Sequence, residues 1–175
     1  DELKEFNAVY KFKDEFTCCD IPTLEEVLDW VKDTDIIINI EMKNGVILYK
    51  GMEEKVIELV RQNNLENRVI FSSFNHYSIV KLKQLAPEIE RAVLYMEGLY
   101  KPWEYAKWVG VQSIHPYIYA APTEIIIESQ SNGVKVRPFT VNDEQVMQRL
   151  FADNCAAFFT DYPKKAVELK TSLKI

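Results

Sequence analysis

Histidine is scarce in this 175-residue sequence, which has two, His76 and His115. Cysteine is little better represented: Cys18, Cys19 and Cys155 make an odd set with two adjacent members. That arrangement is a poor basis for a disulfide framework and matches no zinc-ligand spacing, so we expect a reducing, cytoplasmic setting. No apolar run reaches the roughly 18 residues of a spanning helix, and the opening "DELKEFNAVY" lacks a basic-then-apolar signal pattern; no membrane span is expected. Basic residues are outnumbered, 21 Lys and Arg against 27 Asp and Glu, for a net charge of -6. This balance argues against a nucleic-acid surface, which needs clustered cations. An anionic substrate would need a local cation or a metal. Neither GxGxxG nor GxxxxGK[ST] occurs, which excludes the usual Gly-rich nucleotide turns. What the chain does have is 47% hydrophobic and 12% aromatic residues, enough for a sizeable core in a single domain over residues 1–175.

Helical and strand signals alternate from residue 21 onward. Thr23 and Glu26 in "IPTLEEVLDW" form a capping box ahead of a helix whose apolar face is Leu24, Val27, Leu28 and Val31. The strand "DIIINIEMK" follows, then the helix "MEEKVIELVRQNN" and the strand "RVIFSSF". A helix marked by Ile79, Leu82 and Leu85 stops at Pro87, before the β-rich "RAVLYM". Pro102 suits the first turn of the next helix, which ends at Gly110 before "VQSIHPY". "PTEIIIESQSNG" reads as a helix closed by Gly133, and "VKVRPFTVN" as the next strand. Asn142 is placed to cap "DEQVMQRLF", after which "CAAFFTDYP" reads as a sixth strand and "KKAVELKTSL" as a last helix. This alternation predicts an α/β fold with a parallel sheet and right-handed crossovers. A TIM-type (β/α) barrel needs eight units and roughly 250 residues. About six of the eight are legible, hence a partial barrel.

In such a barrel the chemistry sits at the C-terminal ends of the strands. Those ends carry Glu41 and Lys43, Ser72 and Ser73 with Phe74, Tyr95, His115 with Tyr117, Phe139 to Asn142, and Asp161. Glu41 and Lys43 are two apart and so share a strand face. A hard divalent ion takes carboxylate oxygens, and a lysine beside it can neutralise a phosphate that the metal also holds. The plainer alternative is an ion pair at the sheet rim. His76 and His115 could be bases, although a lone histidine near a loop is more often a satisfied polar residue. Asp161, close to Pro163, reads either as a ligand or as a turn and helix-capping residue. Ser72 and Ser73 have no glycine elbow, and Cys155 fits a small core position.

Taken in order, "DIPTLEEVLDWV", "NIEMK", "VIFSSF", "GVKVRPFTVND" and "FFTDYP" resemble the C-terminal two thirds of the glycerophosphodiester phosphodiesterase family. The resemblance implies an α/β barrel and the metal-dependent hydrolysis of a glycerophosphodiester to glycerol 3-phosphate and an alcohol, a step of lipid and glycerol metabolism. By this resemblance Glu41 matches a metal ligand, Lys43 matches the lysine that contacts phosphate, and Phe139 stands where the family usually has a pocket-lining tryptophan. The implied cofactor is a divalent metal, Mg or Ca, and the implied partner a small-molecule glycerophosphodiester.

The family's N-terminal His-Arg-Gly motif, its paired acidic ligands and its second histidine have no counterpart here. The acid/base histidines are therefore expected in a missing N-terminal segment, and this chain alone is expected to be inactive. That segment or a second chain would close the barrel. Two other readings stay open: a truncated non-catalytic phosphate-binding or assembly domain, and an unrelated barrel with a metal-free sugar-phosphate site.

Overall fold

The computed structural model describes residues 2–10 and 13–173. Its centre is one parallel sheet of five strands: β1 (Ile38–Glu41), β2 (Val69–Ser73), β3 (Glu90–Tyr95), β4 (Ser113–Pro116) and β5 (Lys135–Val136). Helix α1 (Leu24–Lys32) precedes β1. The connections carry α2 (Met52–Gln62), α3 (His76–Leu85), α4 (Pro102–Val109) and α5 (Thr123–Ser131); α6 (Glu144–Ala152) and α7 (Pro163–Ser172) follow β5.

The strands lie in chain order across the sheet, each parallel to the last. A doubly wound sheet reverses its strand order at a switch point; this one never does. With crossovers of one hand, an unbroken order keeps every connecting helix on the same face. That is the arrangement of a partial α/β barrel, with one face toward helices and the other toward a barrel interior.

Side-chain alternation sorts the residues between these faces. Ile38, Ile40 and Met42, Phe71, Val93 and Tyr95, Ile114 and Val136 join one hydrophobic cluster with Leu28, Val60, Ile79, Leu82, Ile126 and Met147 from the helices. The opposite parity carries Asn39 and Glu41, Ser72, Glu90 and Leu94, Ser113 and His115. Polar residues are thus concentrated on the inner face.

Local signals act as the sequence implies. Thr23 caps α1, accepting from the Glu26 amide at 3.2 Å while the Glu26 carboxylate accepts from the Thr23 amide at 2.7 Å. Gly110 closes α4 at φ 82°, and a Cβ there would meet the end of the Lys83 side chain. Two expectations need correction. Helix α6 is capped by Asp143, whose carboxylate accepts from the Val146 amide at 3.0 Å, and not by Asn142.

The sixth strand, read from "CAAFFTDYP", does not form a ladder. The amides of Lys135, Arg137 and Phe139 all donate back toward β4. The intervening positions would serve a sixth strand, but Pro138 has no N–H to give. The Cys155 thiol, at 3.2 Å, occupies the Val136 carbonyl. What remains is one crossing point, the Phe159 amide to the Pro138 carbonyl at 2.9 Å and the Val141 amide to the Phe159 carbonyl at 2.8 Å. Two residues, Phe139 and Thr140, lie between those bonds, so the register carries an extra residue in the manner of a bulge. Among the described residues no helix is long and apolar enough to cross a membrane.

Candidate active site

A cavity of 170 Å³ opens on the inner face near the C-terminal ends of the strands. It is lined by Asn39 and Glu41 from β1, Ser72 and Phe74 from β2 and its following loop, Leu94 from β3, and Phe139, Thr140 and Phe159. Glu41 is the one carboxylate in that lining. Phe74 meets Phe139 edge-on with ring centroids 5.8 Å apart, and Tyr117 also packs on Phe139, tilted, at 6.0 Å. The result is an aromatic wall facing a carboxylate. A larger hollow of 360 Å³ lies beside α6 and α7, but its lining includes no carboxylate and no residue from the strand ends.

Lys43 does not line the cavity. It stands one pleat beyond Glu41 on the same face, its Nζ 3.9 Å from Glu41 Oε1. The lysine side chain is 81% exposed and the glutamate 32%, a geometry too loose and too wet to count for much as an ion pair. Both groups are accessible to a ligand arriving at the mouth.

A buried polar network fixes the chain just past Lys43. The Asn44 amide donates to Glu53 and to Ser78, each at 3.0 Å, and the Ser78 hydroxyl donates to the same Glu53 oxygen at 2.6 Å. Ser73 donates to the Met42 carbonyl at 2.7 Å, which ties the end of β2 to that of β1. Lys81 reaches Glu53 at 3.0 Å. Burial pushes the Glu53 carboxyl upward, yet bonds from Ser78 and Lys81 outweigh it and hold the group below its usual range. Glu53 is therefore a charged anchor for the loop following β1.

Asn39 sits one pleat deeper than Glu41. Its amide nitrogen donates to the Ser72 hydroxyl at 3.0 Å, while its carbonyl oxygen Oδ1 is buried and has no hydrogen-bond partner among the described residues. Nothing in the sequence pattern marks this residue, an uncharged side chain inside an apolar run.

The two histidines are not free bases at the cavity. His76, in the first turn of α3, has Nδ1 at 2.7 Å from the Tyr105 hydroxyl and Nε2 at 2.8 Å from the Leu94 carbonyl. His115 is fully buried, and it does not stand in the mouth as its strand-end position suggested. It packs edge-on against Phe159 at 5.1 Å, with Nε2 3.4 Å from Arg137. Burial, and next the Arg137 charge, push its pKa down to about 3, so the ring is neutral.

Two other strand-end expectations are also corrected. Tyr95 has the parity of Val93 and enters the helix-facing core, where burial raises its hydroxyl pKa. Asp161 does not cap α7, whose cap is Tyr162. It accepts from the Asn142 amide at 2.8 Å, which pins the turn leading into that helix. Among the described residues no group of three or more His, Cys, Asp and Glu side chains could hold a metal ion.

Comparison with known proteins gives this geometry its setting. The uncharacterized protein YqiK of Bacillus subtilis is 43% identical over 171 residues, covering 97% of this chain and 70% of the relative. A glycerophosphodiester phosphodiesterase of Caldanaerobacter subterraneus is 38% identical over 169 residues, again 97% of this chain and 70% of the relative. An Oleispira antarctica phosphodiesterase, solved in complex with the product sn-glycerol-3-phosphate, is 27% identical and superposes with a TM-score of 0.78, covering 96% of this chain and 68% of that one. The model of the glycerophosphoryl diester phosphodiesterase family matches residues 1–165, and with relatives this similar over nearly its whole length the chain belongs to that family.

Proposed function

We propose that this chain supplies the metal- and phosphate-binding half of an enzyme that hydrolyses glycerophosphodiesters to glycerol 3-phosphate and an alcohol. The observation that carries the reading is the cavity at the strand ends, where a single carboxylate, Glu41, shares the lining with an aromatic wall and an exposed lysine stands one pleat outward. Family membership supports the reaction class.

In this reading Glu41 is the residue through which the chain holds a divalent cation, Mg or Ca. Its hard carboxylate oxygen suits such an ion, and its partial exposure leaves it open to one. The cation would polarise the phosphoryl oxygens. Lys43 balances the phosphate charge from the solvent side, as an exposed ammonium on a flexible stem can do without fixed geometry. Phe139, braced by Phe74 and Tyr117, forms the apolar wall against which the glycerol or alcohol portion lies.

The proton transfers belong to neither histidine of this chain. Both nitrogens of His76 have partners, and His115 is buried and neutral beneath the cavity. Residues 1–175 by themselves are accordingly poor catalysts in this reading.

The test is an assay of glycerol 3-phosphate release from glycerophosphocholine and glycerophosphoethanolamine, with divalent metal and with chelator. We expect metal-dependent turnover by the full-length protein and little by the 175-residue chain. Absence of turnover in the full-length protein, or turnover indifferent to chelation, would overturn the reading.

A further inference from the structure

We infer that Asn39 is a cation ligand acting with Glu41, its amide Oδ1 supplying a neutral oxygen beside the carboxylate. The inference rests on the proposed metal-binding role of Glu41 and adds to it a residue for which no role follows from the sequence pattern.

Three observations lead to it. Asn39 and Glu41 are two residues apart on β1, so both side chains leave the same face of the sheet, and both line the 170 Å³ cavity. Along a strand that spacing is about 6.6 Å at the backbone, a span that two side chains converging on one ion can close. The Asn39 amide is also oriented: its nitrogen is spent on the Ser72 hydroxyl at 3.0 Å, and Ser72 is itself fully buried in β2. That bond turns Oδ1 into the remaining free end. Finally, Oδ1 is buried without a partner among the described residues.

A buried acceptor with nothing to accept is costly, and folded proteins rarely leave one without a reason. A hard divalent cation supplies that reason, because Asn carbonyl oxygens and carboxylates are ordinary companions in its ligand sets. Ser72 is then a positioning residue. It touches the amide nitrogen and would act on the ion only by holding Oδ1 in place.

This arrangement makes a distinct prediction for charge. Asn39→Ala removes the oxygen, whereas Asn39→Asp keeps it, preserves the reach and adds a negative charge. An amide acting as a donor to phosphate would behave in the opposite way, since a carboxylate at position 39 would repel the anion.

The experiment is calorimetric titration of the full-length protein with Ca²⁺ and with Mg²⁺ alone, in the absence of substrate. Separate titrations with glycerol 3-phosphate in chelator complete it. For Asn39→Ala we expect cation affinity to fall about 10-fold. For Asn39→Asp we expect affinity equal to or tighter than that of the unsubstituted protein. Ser72→Ala should weaken binding by less than Asn39→Ala.

If Glu41→Gln weakens cation binding while Asn39→Ala does not, the role of Asn39 falls and that of Glu41 stands. If neither substitution matters, the metal-binding reading of Glu41 fails, and this inference with it. Loss of glycerol 3-phosphate affinity in chelator, with cation affinity unchanged, would make Asn39 a phosphate donor and overturn its assignment as a ligand. Should Asn39→Ala not fold, Asn39→Asp decides alone, because weakened cation binding in that variant contradicts the inference.

Discussion

Arg137 and Glu90 form an ion pair of 2.7 Å on the inner face of the sheet, below the cavity and out of its lining. Only 13% of the arginine side chain and 20% of the glutamate are exposed. Lys135 reaches the second Glu90 oxygen at 2.8 Å, and the Ser113 hydroxyl donates to the first at 3.0 Å. One carboxylate thus binds β3, β4 and the β5 segment together. Glu90→Ala would leave the Arg137 charge largely buried and unpaired. We expect that substitution to cost on the order of 2–4 kcal/mol in denaturant unfolding. Combining Glu90→Leu with Arg137→Met should recover much of the loss, and a double variant as unstable as Glu90→Ala would contradict this account.

The same residue carries a pH dependence. Burial pushes the Glu90 carboxyl up, but its bonds to Lys135 and Arg137 win and hold it below the ordinary carboxylate range. A depressed folded-state pKa means that the stabilisation is present above the unfolded value. It is lost as pH falls through the folded one.

His115 has a second, separable signature. Its folded pKa of about 3 lies below the ordinary 6.5, so between those values the unfolded chain binds the proton that the buried ring refuses. Stability should therefore fall as pH drops from 6.5 toward 3. Denaturation midpoints taken from neutral pH down to about 5 lie above the carboxylate range, where the histidine contribution stands apart from that of Glu90. We expect His115→Gln to flatten the slope there. An unchanged slope in the variant would show that His115 is not held neutral.

Much of this arrangement was legible in the sequence, and the failures have identifiable causes. Glu41 stood out because a charge ending an apolar run is conspicuous, and its strand parity could be counted from there. A strand-end position alone does not aim a side chain at the mouth: Tyr95 has the parity of Val93, which sends it into the core. Asn39 carries no local sequence signal because its setting depends on Ser72, 33 residues away in the chain. The Glu90 and Arg137 pair spans 47 residues, and only the register of three strands brings it together. The sixth strand does not form for a local reason that the sequence itself contains, Pro138 in the segment that would have to pair with it.

Glu41 and Lys43 should separate when each is changed. Glu41→Gln removes the anionic ligand and is expected to lower divalent-cation affinity about 10-fold or more. Lys43→Ala should leave cation affinity intact and weaken glycerol 3-phosphate binding about 2- to 5-fold, a modest effect because the ammonium is largely in water. Titrations of both variants with each ligand check this. Wild-type affinities throughout would return the pair to the role of a rim contact.

The margins of the sheet give the last prediction. β1 is the first strand in the sheet order, and among the described residues no strand pairs with its outer edge. Beside that edge, Ile36 and Ile37 are 44% and 64% exposed, and Trp30 on the neighbouring α1 is 62% exposed. At the opposite margin the segment through Phe159 makes one crossing point in place of a ladder. Unpaired N–H and C=O groups next to apolar side chains invite another strand to add, which is why long exposed edges are rare in stable monomers. We therefore expect the 175-residue chain on its own to associate with a second copy or to aggregate, and hydrogen exchange to be fastest at the Ile38–Glu41 edge and around Phe159. Light scattering with exchange mass spectrometry measures both. A monodisperse monomer in which β1 and the Phe159 segment exchange as slowly as β3 would mean that these margins are satisfied in some other way, and the open-barrel account of the fold would have to be given up.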